Sequence, residues 1–300
     1  MSTLINLEIG DVHFAIRSRY RVLPQKDNPA YSAFLKSSRK DTRDIDISVL
    51  PSGKGARILQ TAKRIFDGGG SWRMFRDGAD YILSFNSAGV RSQPFWLARA
   101  SRDFSRAVVY CGEDLTRVTK GVTTLSNPVR YPLDQILLMH LLALREGAII
   151  HAAGVVIKGR GLIFPGRSGG GKSTITRCLM ARDDISILSD DRVIVRNGGK
   201  TIMVFGTPWP GDAGIARNKK SELRGIFFMH PGQATRITRI DPGTAFEKLL
   251  PVTSIPWYDR ETIPSIFAFL EKLVSRVPAY LLRFRPTPEV ADVIAEFVSA

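Results

Sequence analysis

The chain has 300 residues, 44% of them hydrophobic and 24% charged, with a formal net charge of +15 and a pI near 10.2. That is the composition of a soluble globular chain of one large domain or two ordinary ones, without internal repeats, low-complexity tracts or an apolar run long enough to span a membrane. Two cysteines, Cys111 and Cys178, argue against a disulfide framework, and Met1-Ser2-Thr3-Leu4-Ile5-Asn6-Leu7-Glu8 lacks the basic-then-apolar pattern of an export signal, so a cytoplasmic protein is expected. The positive charge attracts polyanions. The basic residues are nevertheless scattered, mostly as single arginines between apolar residues. This field suits a triphosphate and an acidic peptide, and a nucleic-acid partner is not expected.

To about residue 126 the chain reads as mostly strands. Val12-His13-Phe14-Ala15-Ile16 is a short one, with His13 as an ordinary strand residue. Asp44-Ile45-Asp46-Ile47-Ser48-Val49 alternates with the period of two, placing Ile45, Ile47 and Val49 on one face. Ser71–Arg76 and Tyr81–Phe85 flank Asp77-Gly78-Ala79-Asp80, which predicts a hairpin. Ala107–Cys111 is a further strand. One helix is expected from Ala56 to Phe66, stopped by Asp67-Gly68-Gly69-Gly70. Trp72, Phe75, Tyr81 and Phe85 read as sheet packing rather than a ligand cage. No recognisable chemistry stands out in this half.

Ser126-Asn127-Pro128-Val129-Arg130-Tyr131-Pro132, with two prolines close together, marks a boundary between a first domain (1–126) and a second (127–300). Pro132 opens a largely buried helix running to about Arg145, which carries Leu133, Ile136, Leu137, Met139, Leu141 and Leu144. Ala148–Ile157 follows as an apolar run. The segment Gly161-Leu162-Ile163-Phe164-Pro165 has the length of a buried strand, and Thr174–Met180 reads as the opening turns of a helix. Between them stands Gly166-Arg167-Ser168-Gly169-Gly170-Gly171-Lys172-Ser173. Strand, G-x-x-x-x-G-K-S and helix in that order form a P-loop pattern. Its glycines let backbone N–H groups turn toward phosphate oxygens, and the helix N-terminus adds partial positive charge. Gly166 through Thr174 are thus the candidate nucleotide-binding residues. Lys172 reaches the β- and γ-phosphates, and the Ser173 hydroxyl is a candidate Mg²⁺ ligand.

Downstream, Ile185–Ser189 is a short strand ending in Asp190-Asp191. Val193–Val195 and Thr201–Phe205 form a hairpin through Asn197-Gly198-Gly199. Trp209-Pro210-Gly211-Asp212 lies in a loop, Leu223–Met229 is a buried strand, and helices are expected at Pro242–Leu250, Ile263–Val277 and Pro288–Val298. The acidic pair arrives only one helix and one strand after Lys172, so its strand should end beside the phosphates. Two adjacent carboxylates there can divide labour: one holds Mg²⁺ and the other accepts a proton from an attacking hydroxyl. The plainer alternative is an Asp-Asp turn solvated by Arg192.

His151-Ala152-Ala153-Gly154-Val155, the Ser168–Ser173 stretch, Ser189-Asp190-Asp191-Arg192-Val193 and Glu222-Leu223-Arg224-Gly225-Ile226 together resemble the catalytic domain of the bacterial HPr kinase/phosphorylase family. The likeness covers about residues 147–229. It looks closest to the divergent HPr kinase-related branch, which is similar to serine kinases that modify peptides, lasso-peptide precursors among them. The resemblance implies an α/β P-loop kinase domain of the type shared with ATP-dependent phosphoenolpyruvate carboxykinase; the smaller β-rich (α+β) domain read before it shows no clear likeness to that family's N-terminal domain. It also implies ATP and Mg²⁺ as cofactors, a serine hydroxyl of a peptide or protein as acceptor, and a homo-oligomer.

By the same resemblance, His151 sits near the γ-phosphate and aids the catalytic carboxylate. Asp191 is the general base and Asp190 the metal-side partner, though the residues themselves suit either order. Glu222 and Arg224 support phosphate charge or a metal-bound water, and Gly211 and Asp212 line the acceptor side. His151 is also readable as a strand-end histidine, and Arg224 as an ordinary ion pair. After Arg224-Gly225 the chain reads Ile226-Phe227-Phe228-Met229-His230, which departs from the family's glycine-containing continuation. Phosphorylase activity is therefore not part of the expectation. The function read from the sequence is an ATP–Mg²⁺-dependent kinase; the alternatives are a nucleotide-binding regulator and a nucleic-acid-stimulated P-loop ATPase.

Overall fold

The computed structural model of the protein describes residues 3–23, 29–37, 44–51, 56–69, 71–86 and 95–299. The chain divides into two compact units, Met1–Leu141 and Leu142–Ala300. Both carry mixed sheets with helices, and the fold belongs to the α/β class. No helix among the described residues is long and apolar enough to cross a membrane.

The first unit is built of strands β1 (Thr3–Ile9), β2 (Val12–Ser18), β3 (Arg21–Leu23), β4 (Leu35–Lys36), β5 (Ile45–Pro51), β6 (Lys63–Asp67), β7 (Trp72–Asp77), β8 (Asp80–Phe85), β9 (Trp96–Ala100), β10 (Arg106–Cys111), β11 (Thr116–Thr119) and β12 (Val122–Ser126), followed by helix α1 (Leu133–Ala143). Among the described residues, nine strands form one sheet in the order β4-β1-β2-β5-β10-β9-β8-β7-β6, and β11-β12-β3 form another. Alternation decides the faces as expected: Ile45, Ile47 and Val49 of β5 are fully buried. The hairpin read at Asp77–Asp80 is present, with Trp72 opposite Phe85.

The helix expected from Ala56 to Phe66 does not form. A single 3₁₀ turn at Ala56–Leu59 leads into β6, which pairs antiparallel with β7. The reason lies in the partner strand: pairing brings the Phe66 ring to 4.7 Å from Trp72, and such cross-strand packing overrides local helix preference. Gly70, read as part of the helix stop, lies outside the described residues.

Helix α1, which the sequence reading assigns to the second domain, contributes to the first unit. Its buried Asp134 accepts a 2.6 Å hydrogen bond from the Tyr31 hydroxyl, and the His140 ring stacks on Phe104 at 4.0 Å. The division falls inside the helix, after Leu141, rather than at the proline pair.

The second unit contains β13 (Gly147–Ile157), β14 (Arg160–Pro165), α2 (Lys172–Leu179), β15 (Ile185–Ser189), β16 (Arg192–Asn197), β17 (Ile202–Phe205), β18 (Lys220–Pro231), β19 (Arg236–Ile240), α3 (Pro242–Leu249), α4 (Ile263–Arg276), β20 (Ala279–Phe284) and α5 (Glu289–Ser299). Here β13 pairs with β14 and β16, β16 with β17, β17 with β18, and β18 returns to pair parallel with β14, closing a ring of five strands. The sheet continues from β18 through β20 to β19, while β15 pairs with β13.

The long apolar run of β13 is explained by cover on both faces. Ala148, Ile150 and Ala152 enter a core shared with α3 and α4. Ala153, Val155 and Ile157 enter a second core shared with α2 and α5. Cys178 of α2, like Cys111 of β10, is buried and free.

Candidate functional site

Strand β13 determines which residues meet. β14 pairs along its Ala152–Ile157 half on one edge, β15 pairs with Gly154–Ile157 on the other, and β16 takes over that second edge from Gly147 to His151. The chain therefore leaves β14 at Gly166 and passes from β15 to β16 at Asp190-Asp191, both at the level of His151. Two backbone bonds secure this meeting: Gly166 N–H donates to His151 O (3.1 Å), and Ala152 N–H donates to Asp191 O (2.9 Å).

The glycine-rich segment forms a tight turn leading into α2, with Gly170 N–H donating to Arg167 O at 2.9 Å. Gly171, immediately ahead of the helix, has φ +88°, a left-handed conformation that excludes most other residues. Helix α2 is amphipathic over its two turns: Ile175, Cys178 and Leu179 are buried against the core beneath it. The residue at its N-cap is Gly171, which has no side chain to cap the first turn. The leading N–H groups are the ones an α-helix cannot satisfy internally, and they give that end partial positive charge. The Lys172 ammonium lies within the loop and donates to Gly166 O (3.0 Å) and Arg167 O (3.1 Å). Burial pushes its pKa below the ordinary lysine value, against the opposing pull of Asp191, Asp212 and Asp190.

The two adjacent aspartates part ways. Asp191 points into the cleft. Its Oδ1 lies 2.6 Å from His151 Nε2, and its Oδ2 accepts from the Arg192 guanidinium. Burial works to raise its pKa, but His151, Arg192 and Lys172 together outweigh that and hold the carboxyl below the usual range, so it is ionised at neutral pH. Asp190 is 4% exposed and turns toward the following loop. Its Oδ1 accepts from Gly211 N–H (2.9 Å) and Ile215 N–H (3.3 Å), and its Oδ2 from Ala213 N–H (2.7 Å). Those three bonds occupy most of the carboxylate's roughly four lone-pair sites.

The loop so held carries Asp212 back toward the helix, where its Oδ2 lies 3.5 Å from Ser173 Oγ. Asp212, read from the sequence as an acceptor-side residue, thus stands beside the hydroxyl expected to hold Mg²⁺. His151, Ser168, Gly169, Gly171, Lys172, Ser173, Thr174, Asp190, Asp191, Gly211 and Asp212 line one cavity of about 230 Å³.

Glu222 and Arg224 are not brought to this cavity. In the β14–β18 pairing Glu222 lies opposite Arg160, at the end of β14 remote from Gly166. Arg224 pairs with Glu222 at 2.8 Å, is largely exposed, and lines a separate cavity. Arg192, named in the sequence reading only as solvating an Asp-Asp turn, does pair with Asp191; Asp212, read as an acceptor-side residue, also stands beside Ser173 Oγ.

Among the described residues, no three His, Cys, Asp or Glu side chains gather in a way that would hold a resident metal. Mg²⁺ carried by a nucleotide asks less, since phosphate oxygens and waters supply most of its six ligands and one or two protein oxygens suffice. Ser173 Oγ and the Asp212 carboxylate fit that requirement. Asp190 fits it less well, because its oxygens are already engaged.

No protein-family model matches the chain, and no curated protein matches it. Among solved structures it is similar to the Hpr(Ser) kinase/phosphatase from Coxiella burnetii, with 14% sequence identity and a TM-score of 0.29 over 50% of this chain and 93% of that one. A likeness of that size says nothing of function.

Proposed function

We propose that the protein is an ATP–Mg²⁺-dependent kinase that transfers the γ-phosphoryl group to a serine-type hydroxyl of a peptide or protein. One observation carries this reading: the Asp191 carboxyl, fixed by His151 at 2.6 Å, shares a single cavity with Lys172, Ser173 and the glycine-rich turn. A nucleotide binder needs the turn, the lysine and at most a carboxylate for Mg²⁺; an ionised carboxylate fixed by a histidine is also what a phosphoryl-transfer base needs. The reading also agrees with the resemblance to the HPr kinase/phosphorylase family, three of whose four motifs meet in this cleft.

In the proposed reaction, backbone N–H groups from Arg167 to Ser173 and the Lys172 ammonium hold the phosphate oxygens as charge redistributes. Ser173 and Asp212 would hold the Mg²⁺ that comes with the nucleotide, which neutralises charge on the phosphates. The acceptor oxygen attacks phosphorus in line, its O–P bond forms as the bond to the β-phosphate oxygen breaks, and ADP leaves. The hydroxyl proton passes to Asp191. A carboxyl held below its usual pKa is a weak base, so the proton moves late, after bond formation has made the hydroxyl acidic; a loose transition state has that order. His151 and Arg192 keep the carboxylate aimed.

Labelled phosphate transfer from γ-labelled ATP to serine-containing peptides tests the proposal. The wild type should label a peptide in the presence of Mg²⁺, and Asp191→Asn should bind nucleotide without labelling. A second reading, a nucleotide-binding regulator without transfer, draws on the engagement of both Asp191 oxygens. It prevails if the wild type binds ATP but labels nothing and Asp191→Asn behaves identically.

A further inference from the structure

The Glu222-Leu223-Arg224-Gly225 stretch, unused by the cleft, builds something else. Along β14 and β18 the register runs Gly161 opposite Leu223 and then Leu162 opposite Gly225, which leaves Arg224 as the extra residue of a β-bulge. A bulge re-aims the side chains around it. Leu223 and Ile226 both enter the core under α3 and α4, while Phe227 enters the opposite one with Leu162. The bulge thereby turns Arg224 to the same face as Phe227. Gly225 is needed for this, because a Cβ there would lie 2.7 Å from the Phe227 ring.

The result is a cavity of about 540 Å³ lined by Arg160, Leu162, Arg224, Phe227, Tyr280 and Phe297. Its aromatic floor is ordered: Phe227 stacks on Tyr280 at 5.0 Å, and Tyr280 meets Phe297 edge-on at 5.0 Å. Phe297, near the end of α5, is 39% exposed. Among the described residues, the charged groups lining it are Arg160 and Arg224, with the Glu222 carboxylate paired to Arg224 beside it, which leaves the mouth cationic. The volume is that of a small-molecule site, and aromatic walls with a few convergent polar groups are the usual lining of one.

The geometry points to a second ligand site, distinct from the phosphate cleft at the other end of β14, for a small organic anion with a flat ring. The ring lies against Tyr280 and Phe297, and the carboxylate or phosphate is held by Arg160 and Arg224, whose planar forks suit either group. Glu222 competes with the ligand for Arg224.

The test uses the full chain with Mg²⁺ and inorganic tripolyphosphate present in excess, and ligand-observed NMR titration with phenyl phosphate, benzoate, AMP and inorganic phosphate. Phenyl phosphate should bind saturably, without displacement by tripolyphosphate, and about tenfold more tightly than inorganic phosphate, a gain of about 1.4 kcal/mol from ring stacking. Arg224→Gln and Phe297→Ala should each weaken it about tenfold, and Glu222→Gln should tighten it about threefold. Phe297 is exposed, so its variant tests the site even if Arg224→Gln disturbs the bulge. Preference for AMP would assign a nucleotide as the ligand, and preference for benzoate or phenyl phosphate an aryl acid. Equal binding of phenyl phosphate and inorganic phosphate would overturn the proposal, as would displacement by tripolyphosphate or wild-type affinity in both the Arg224 and Phe297 variants. Because the cleft and this cavity are read separately, failure here leaves the kinase reading standing, and failure of peptide labelling leaves this one standing.

Discussion

The two walls of the candidate site are held up by different means. One wall, Gly166 to Gly171, is shaped mostly by backbone: glycine conformations, a tight turn and the start of α2, with the Lys172 ammonium bonded to two of its carbonyls. The other wall, the loop that carries Gly211 to Ile215, hangs from one side chain, since three of its N–H groups converge on the Asp190 carboxylate. The difference explains why consecutive aspartates serve different ends. Neighbouring residues at a strand end point to opposite sides, so Asp190 turns to organise the loop while Asp191 emerges into the cavity lined by Lys172 and the glycine turn. Functional groups on the second wall, Asp212 above all, are only as well placed as Asp190 keeps them.

Mutating the two aspartates one at a time puts this contrast under the most strain. Asp191→Asn should lower phosphoryl transfer by about 10²–10⁴-fold while leaving nucleotide affinity nearly intact, measured by labelled transfer and calorimetry. A variant at wild-type rate would show that the emerging carboxylate is not the base. Asp190→Ala should act first on stability: three N–H groups lose their acceptor, and the urea midpoint of the second unit should fall by the equivalent of about 3 kcal/mol, with activity following. If Asp190→Ala unfolds like the wild type, the loop is not hung from that side chain.

Asp212→Asn should raise the Mg²⁺ concentration for half-maximal transfer about tenfold with little change in stability. An unchanged Mg²⁺ titration would remove Asp212 from the metal side.

The smallest effect is one of pH. The native Asp191 pKa is lowered, so the unfolded chain binds this proton more tightly than the folded one, and stability from this group rises with pH. It is fully present above the unfolded aspartate value of about 3.9 and lost as the pH falls through the lower native value. Denaturation of wild type and Asp191→Asn at stepped pH should show the difference between them shrinking over that window. A constant difference would mean that His151 and Arg192 do not stabilise the ionised form.

Much of the cleft is legible in the amino-acid sequence, because its parts lie close together in the chain. The strand, glycine turn, lysine and helix run consecutively from Gly161 to Met180, and backbone geometry follows from the glycines themselves. The acidic pair is legible for the same reason, one helix and one strand away. Asp212 stands out in its loop, but its place beside Ser173 is not legible, since its position depends on bonds to Asp190 more than twenty residues earlier. Arg224 misleads for the opposite reason. Its short motif reads as part of the phosphate chemistry, yet the β14–β18 register carries it to the far end of the strand.

The features that sequence settles unaided are local: period-two strands, the Asp77–Asp80 hairpin, the glycine turn before α2 and the three late helices all rest on residues that interact within one element or across one turn. Tertiary assembly supplied the rest. The pairing of β6 with β7 overrode a helix-like segment, the return of β18 to β14 closed a ring that no stretch of residues announces, and a one-residue bulge turned Arg224 to a new face. In each case the deciding contact joins a segment to a partner strand whose place is settled only when the whole sheet assembles, and pairing and packing across strands then outweigh the preferences of any single segment.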